Sequence, residues 1–276
     1  MLKKILLGIV ILIALVVATF MIIILPGYHK FMTTESIQFD KSLTLILGGG
    51  GNSGILVTDS AVVVIDTKMG KPAKLLAETV KKIAGKKKII VINTHFHPDH
   101  SGGNQYYSGC KIISGSYDLA FLQQHLKVGQ IPNTFVADSL MLALGTDTLM
   151  LYNLGQAHTW DDVIVYVKNR KLLFSGDLVV NKINPVLNKE SGAHVGKWIQ
   201  ALDNILRRDI KVLVPGHGKP GGKELANDLL HYFEDMRTAA LEPEKEAAMK
   251  AKYTKWFGMP FMSSTNNTIK YIKESK

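Results

Sequence analysis

Hydrophobic positions along the chain fall into two regimes. From Ile5 to Leu25 the sequence reads ILLGIVILIALVVATFMIIIL, an apolar run without a charge. A helix rises about 1.5 Å per residue, so about 20 apolar residues cross a bilayer core. Residues 5–25 therefore read as a transmembrane anchor, with Pro26-Gly27 expected to end it. Lys3 and Lys4 precede the run, which favours a cytoplasmic N-terminus and an extracytoplasmic remainder. The competing reading is a signal peptide cut near Val16-Val17-Ala18, which would release a secreted or periplasmic protein. Secretory apolar regions run to about 7–15 residues, and Phe20 to Leu25 continue past that point, so the anchor is the expectation.

After residue 42 the apolar runs are short and bounded by turn residues. Leu43–Leu47, Ile55–Thr58 and Ala61–Ile65 read as strands, with the Gly48–Gly51 run as a turn. A phosphate-binding loop is excluded there, because no Gly-Lys-Ser/Thr follows and a strand succeeds it where a helix would be needed. Leu76, Val80 and Ile83 mark a helix between Pro72 and Gly85. Lys88–Asn93 is a buried strand that leads into Thr94-His95. Further strands are expected at 111–114, 140–144, 149–154, 163–167, 171–174 and 211–214. Helices are expected at 117–127, 195–206 and 223–252, and the stretch from Tyr253 is weakly patterned. Strand-rich halves with flanking helices imply a layered α/β domain.

Composition narrows the chemistry. The 276 residues carry a formal net charge of +10, and 46% are hydrophobic. That charge allows a nucleic-acid or anionic-lipid partner. No basic motif is interleaved with aromatics, so no nucleic acid is expected, and the lysine runs read as solvated faces. Cys110 is the single cysteine, which excludes an internal disulfide framework and thiolate-rich metal sites. Oligomeric state has no sequence signal.

The candidate chemistry sits after the strand at 88–93. Thr94-His95-Phe96-His97-Pro98-Asp99-His100 packs four potential metal ligands into six residues. If the strand continued, His95 and His97 would project to the same side, and Pro98 would then turn Asp99 and His100 toward a second position. Three more candidates follow strand ends: His158 in Gly-Gln-Ala-His-Thr-Trp-Asp-Asp, Asp177 in Phe-Ser-Gly-Asp, and His217 in Pro-Gly-His-Gly. Zinc takes imidazole nitrogen and carboxylate oxygen, and a two-metal site needs about six or seven such ligands. Small neighbours would let the backbone approach a crowded centre. Of the nine histidines, His29, His125, His194 and His231 lack this setting.

These motifs resemble those of the metallo-β-lactamase-fold hydrolases, from about Leu43 to about Leu230. The resemblance implies a four-layer αββα sandwich with the metals at one edge of two sheets. It implies that His95, His97 and His158 bind a first zinc, that Asp99, His100 and His217 bind a second, and that Asp177 bridges them. The chain then divides into the anchor, a linker at 26–42, a hydrolase domain at 43–252 and a C-terminal tail at 253–276. The implied chemistry is hydrolysis by a hydroxide bridging two zincs, acting on a small ester, lactone, thioester or amide-type substrate. Asp99 would orient the hydroxide or shuttle a proton, and Asp161 or Asp162 could fix a histidine tautomer. Iron or manganese would suit the same ligands.

Asp177 stands where many β-lactamases of this family carry Cys or Ser, which weighs against β-lactam hydrolysis as the main activity. Asn188-Lys189 and Ala193-His194 resemble the loop that binds substrate carboxylate in β-lactamases, so Lys189 and His194 are candidate substrate contacts. A mono-iron persulfide dioxygenase is an alternative that metal analysis separates. A non-catalytic metal-binding protein would show a damaged ligand set, whereas every expected position is filled.

Overall fold

The computed structural model describes residues 2–259 and 262–275. The strands are β1 Thr34–Gln38, β2 Leu43–Gly48, β3 Ser53–Val57, β4 Ala61–Ile65, β5 Lys88–Ile92, β6 Lys111–Gly115, β7 Thr134–Val136, β8 Ser139–Leu144, β9 Asp147–Asn153, β10 Val163–Val167, β11 Leu172–Phe174 and β12 Val212–Val214. The α-helices are α1 Leu2–Thr19, α2 Leu25–Met32, α3 Gly70–Ala84, α4 Pro98–Ser101, α5 Leu119–His125, α6 Val195–Leu206, α7 Glu224–Leu241, α8 Glu246–Ala251 and α9 Thr265–Glu274. They build the expected four-layer sandwich. A seven-stranded sheet runs β1 to β7 in sequence order, and a five-stranded sheet runs β12-β11-β10-β9-β8. Strands β4 to β7 pair in parallel, as do β11 and β12; the other pairings are antiparallel.

Period-two alternation sorts the side chains into layers. Ala61, Val63 and Ile65 of β4 face the second sheet, against Leu149, Leu151, Val163 and Val165. Val62 and Val64 face outward onto Leu76, Ala77 and Val80 of α3. On the far side, Ile164, Leu173 and Leu213 pack on Trp198, Leu202 and Ile205 of α6 and on Leu229 and Phe233 of α7. Both sheets are thus buried on two faces, which is why their strands read as nearly unbroken apolar runs.

Four details differ from the sequence expectation. The apolar helix does not stop at Pro26-Gly27. A π-helical turn at Phe20–Ile24 precedes α2, so the helix continues to Met32. The wider turn gives room to the proline ring, which would otherwise meet a carbonyl one turn back. The described side chains from Ile5 to Ile22 are all exposed, and a stretch of 25 residues, Ile5–His29, is long and apolar enough to cross a membrane. Residues 26–42, expected as a linker, supply β1, which pairs with β2 from Thr34↔Gly48 to Gln38↔Thr44. β1 is an exposed edge strand, so it has no apolar alternation to read.

The expected single helix at 223–252 is broken into α7 and α8, because Glu242 precedes Pro243 and leaves the helical region. Within the expected tail, residues 260, 261 and 276 lie outside the described residues. Its remainder contains α9, which docks on α7 through Ile269 and through a hydrogen bond between Thr268 and Tyr232.

Candidate metal centre

The C-terminal ends of parallel strands from both sheets point to one edge, and the loops leaving them carry the candidate ligands. β5 leads into His95–His100, the β9–β10 loop carries His158, and Asp177 and His217 follow β11 and β12. β5 ends at Ile92, so strand alternation does not align His95 with His97. A bend at residues 94–97 and the short α4 do so. Their rings lie 4.8 Å apart, and each is 4.8–4.9 Å from His158.

The expected residues fall into three touching clusters: His95 with His97 and His158, Asp99 with His100 and His217, and His95 with His100 and Asp177. In each cluster the ligand atoms lie within 4.8 Å of one another. His158 Nε2 is 3.0 Å from His97 Nδ1, close to the spacing of about 3.3 Å that two nitrogens take around tetrahedral zinc. Asp177 lies between the two halves. Its Oδ1 is 3.1 Å from His100 Nε2, and its Oδ2 is 3.3 Å from His217 Nε2 and 3.4 Å from His158 Nε2. Asp99 Oδ2 is 3.2 Å from His217 Nε2 and 3.5 Å from His100 Nε2.

Buried His95 Nε2, His100 Nε2 and Asp177 Oδ1 make no hydrogen bond. Buried polar atoms without partners are costly, and a cation would satisfy all three. The donor set therefore fits divalent metal.

Charge divides the site. Burial pushes His95 far below its ordinary value, lowers His97, and takes His158 down to about 3. Those rings are neutral, the form that binds metal. Burial also opposes charge on His100 and His217, but the surrounding carboxylates outweigh it. His100 is held well above its usual range by Asp177, Asp99 and Asp66, and His217 rises to about 9 beside Asp177 and Asp99. Burial would raise both carboxyls, yet His100 and His217 hold Asp99 and Asp177 far below their ordinary values.

Glycine makes the approach possible. A Cβ at Gly51 would lie 2.3 Å from the His100 ring, and one at Gly216 would lie 2.0 Å from Asp177 Oδ1. Gly48, Gly49 and Gly50 all take positive φ, between 67° and 89°. Lys68 underpins this turn. It is fully buried, and its Nζ donates to the carbonyls of Ile46, Gly48 and Gly51 at 2.9, 2.5 and 2.6 Å.

Asp66, which ends β4, holds the position expected of Asp161 or Asp162. Its Oδ2 accepts from His100 Nδ1 at 2.8 Å and from Thr94 Oγ1 at 2.8 Å, while Oδ1 accepts from the Thr94 amide. Asp162 caps the Thr159 turn, and Asp161 accepts from Asn153. The signal for Asp66 was its place at a strand end, which alone is not distinctive. Ser191 was also unforeseen; its Oγ is 3.1 Å from His97 Nε2. Lys189 and His194 both have protein partners in the structure. Lys189 Nζ donates to the Glu274 carbonyl at the end of α9, and exposed His194 caps α6 by accepting from the Lys197 amide. The loop meets the centre through Ser191 instead.

The model of the metallo-beta-lactamase superfamily matches residues 46–217. A metallo-beta-lactamase type 2 of Elizabethkingia meningoseptica is 31% identical over 171 residues, covering 60% of this chain and 68% of that protein. One from Bacillus cereus is 29% identical over 186 residues, covering 66% and 72%. Among solved structures, a metallo-beta-lactamase from Pontibacter korlensis superposes with a TM-score of 0.64 at 24% identity, covering 73% of this chain and 99% of its own.

Two outcomes follow from the geometry. Asp66→Asn would turn an NH2 donor or a lone acceptor toward groups that all donate, loosening His100. Metal affinity should fall about 10–100-fold, measured by chelator competition; unchanged affinity would exclude this role for Asp66. The charge division sets the second outcome. Near pH 7 a first zinc equivalent should enter the neutral three-histidine half without displacing a ligand proton, so it should release fewer protons than the second. A second equivalent should displace the protons of His100 and His217, so its affinity should rise with pH toward about 9. Calorimetry in buffers of different ionisation enthalpy reads both steps; two equal proton releases would contradict it.

Proposed function

The chain belongs to the metallo-beta-lactamase superfamily, and from that premise we propose that it is a dinuclear zinc hydrolase of small ester, lactone, thioester or amide-type substrates. The observation that carries this reading is Asp177, whose two oxygens face histidines of both clusters. Two zinc ions bound there supply Lewis acidity and bring the pKa of water near neutrality.

This chain's own residues do the rest. His95, His97 and His158 would hold the first ion and Asp99, His100 and His217 the second, with Asp177 between them. Ser191 orients the His97 ring through Nε2, and Asp66 fixes His100 through Nδ1. Asp99 would orient the attacking water or relay its proton, through a carboxylate that is partly open to solvent. Iron or manganese remain the competitors at these nitrogen and oxygen ligands, and elemental analysis of the purified protein decides among them.

A second reading, β-lactam hydrolysis, is favoured by the curated relatives, which are named metallo-beta-lactamases. Asp177 weighs against it as the main activity. The apolar N-terminal helix supports a membrane-anchored enzyme with its catalytic part on the extracytoplasmic side.

The experiment is a substrate panel run on the metal-loaded full chain, with esters, lactones, thioesters and a chromogenic cephalosporin. Turnover should be highest outside the cephalosporin. His97→Ala should lose bound metal and lower kcat by about 100-fold or more while circular dichroism stays unchanged, since one ligand of a catalytic ion is gone. Normal turnover in that variant would refute the site.

A further inference from the structure

A large cavity beside the centre is not bounded by the domain alone. It measures about 930 Å³, and its wall includes His217, Leu47, Ile183 and Phe257 together with Pro26 and Phe31. Pro26 also belongs to the 25-residue apolar stretch Ile5–His29. The same short segment therefore closes a cavity at a metal-centre histidine and lies at the end of the membrane helix.

The contact is built, not incidental. The Phe31 ring stacks on His217, with centroids 5.8 Å apart and planes inclined at 26°. The Gly50 amide donates to the Phe31 carbonyl, and the Gly49 amide donates to Thr33. β1 then begins at Thr34 and pairs at once with β2. The helix end is thus fixed to the glycine turn that packs against Asp99 and His100. Lys182 and Lys219, both exposed, line the same opening with one acid, Glu35, and leave it net positive, which suits lipid phosphates.

We propose that this cavity receives the acyl chain of a membrane-resident amphiphile, whose ester carbonyl is thereby presented to the centre beside His217. The proposal rests on the hydrolase reading above and names its substrate class. Water adds its oxygen to the acyl carbon, and the bond from that carbon to the leaving alcohol's oxygen breaks. One proton of the water passes to the alcohol; the other stays with the acid until it ionises. The acyl chain lies among Pro26, Phe31, Leu47 and Ile183, and the product acid returns to the bilayer along the same path.

The test uses the full chain, loaded with zinc, in phosphatidylcholine vesicles. Each buried methylene multiplies affinity about fourfold, so a 4-nitrophenyl dodecanoate should exceed the butanoate in kcat/KM by about tenfold or more. Ile183→Trp fills the cavity and should bring that ratio toward one in the same vesicles, which controls for partitioning of the ester. A second readout needs no turnover and no variant. A diazirine-bearing fatty acid in the vesicles should crosslink to wild-type peptides containing Phe31, Ile183 or Phe257. A ratio near one, a ratio untouched by Ile183→Trp, or labelling confined to residues 5–22 would each overturn the proposal. Butanoate turnover without chain-length preference, or turnover of another panel substrate but of neither ester, would overturn it alone, whereas no turnover of any of them would overturn the hydrolase reading with it.

Discussion

Two carboxylates and five imidazoles share a space with little access to water, and the rest of the domain is arranged around that constraint. Asp99 and Asp177 are stable there as anions only because His100 and His217 face them within 3.1–3.5 Å. Deleting one member of such a buried pair typically costs about 3–5 kcal/mol, because its partner keeps an uncompensated charge. The three remaining histidines meet the constraint in another way, by staying neutral under burial. A cation resolves both halves at once. It supplies the positive charge that the carboxylates otherwise draw from protons, and it fills the unmade bonds of His95, His100 and Asp177.

Holding these groups together requires a rigid frame with open ends. The apolar layer between the sheets supplies rigidity, and strand termini supply the openings. Each parallel strand ends where its loop can turn over the edge. Asp66 from β4 therefore reaches across to the segment after β5, and Gly216 after β12 reaches Asp177 after β11. Side chains would not fit at these crossings. The glycines are thus part of the electrostatic design, since they let ligand atoms from four loops come within ligand distance.

The candidate ligands were visible in the sequence because their chemistry is local. HxHxDH, Gly-Asp and Gly-His-Gly each combine a ligand with the small or turn-forming neighbours that it needs. The layers were legible for a similar reason: strands buried on both faces leave dense apolar runs. What was hidden depends on partners distant in sequence. Asp66 is unremarkable until His100 and Thr94 arrive beside it. Lys189 reads as an anion contact, and its bond to the Glu274 carbonyl depends on α9, some 85 residues away. β1 has no apolar signature, since it lies at an edge and is defined only by pairing with β2. The continuation of the helix past Pro26 required a π turn, which no residue pattern announces.

The glycine turn at residues 48–51 joins these features. One side meets the centre, with the Gly51 amide bonded to the Asp99 carbonyl and its Cα against the His100 ring. The other side accepts the end of the apolar helix through Phe31 and Thr33. Beneath it, the Lys68 ammonium ties three carbonyls of the same stretch together. Burial draws that amine down to about 7, opposed by the carboxylates of Asp66 and Asp99. A methionine of similar length would leave the three carbonyls without their donor, so hydrophobic burial cannot replace the charge. The turn has almost no side chains of its own with which to define a shape. Its conformation is therefore imposed from outside, by Lys68 below, His100 in front and the helix end behind. The helix end thereby becomes part of the wall beside the candidate metal centre.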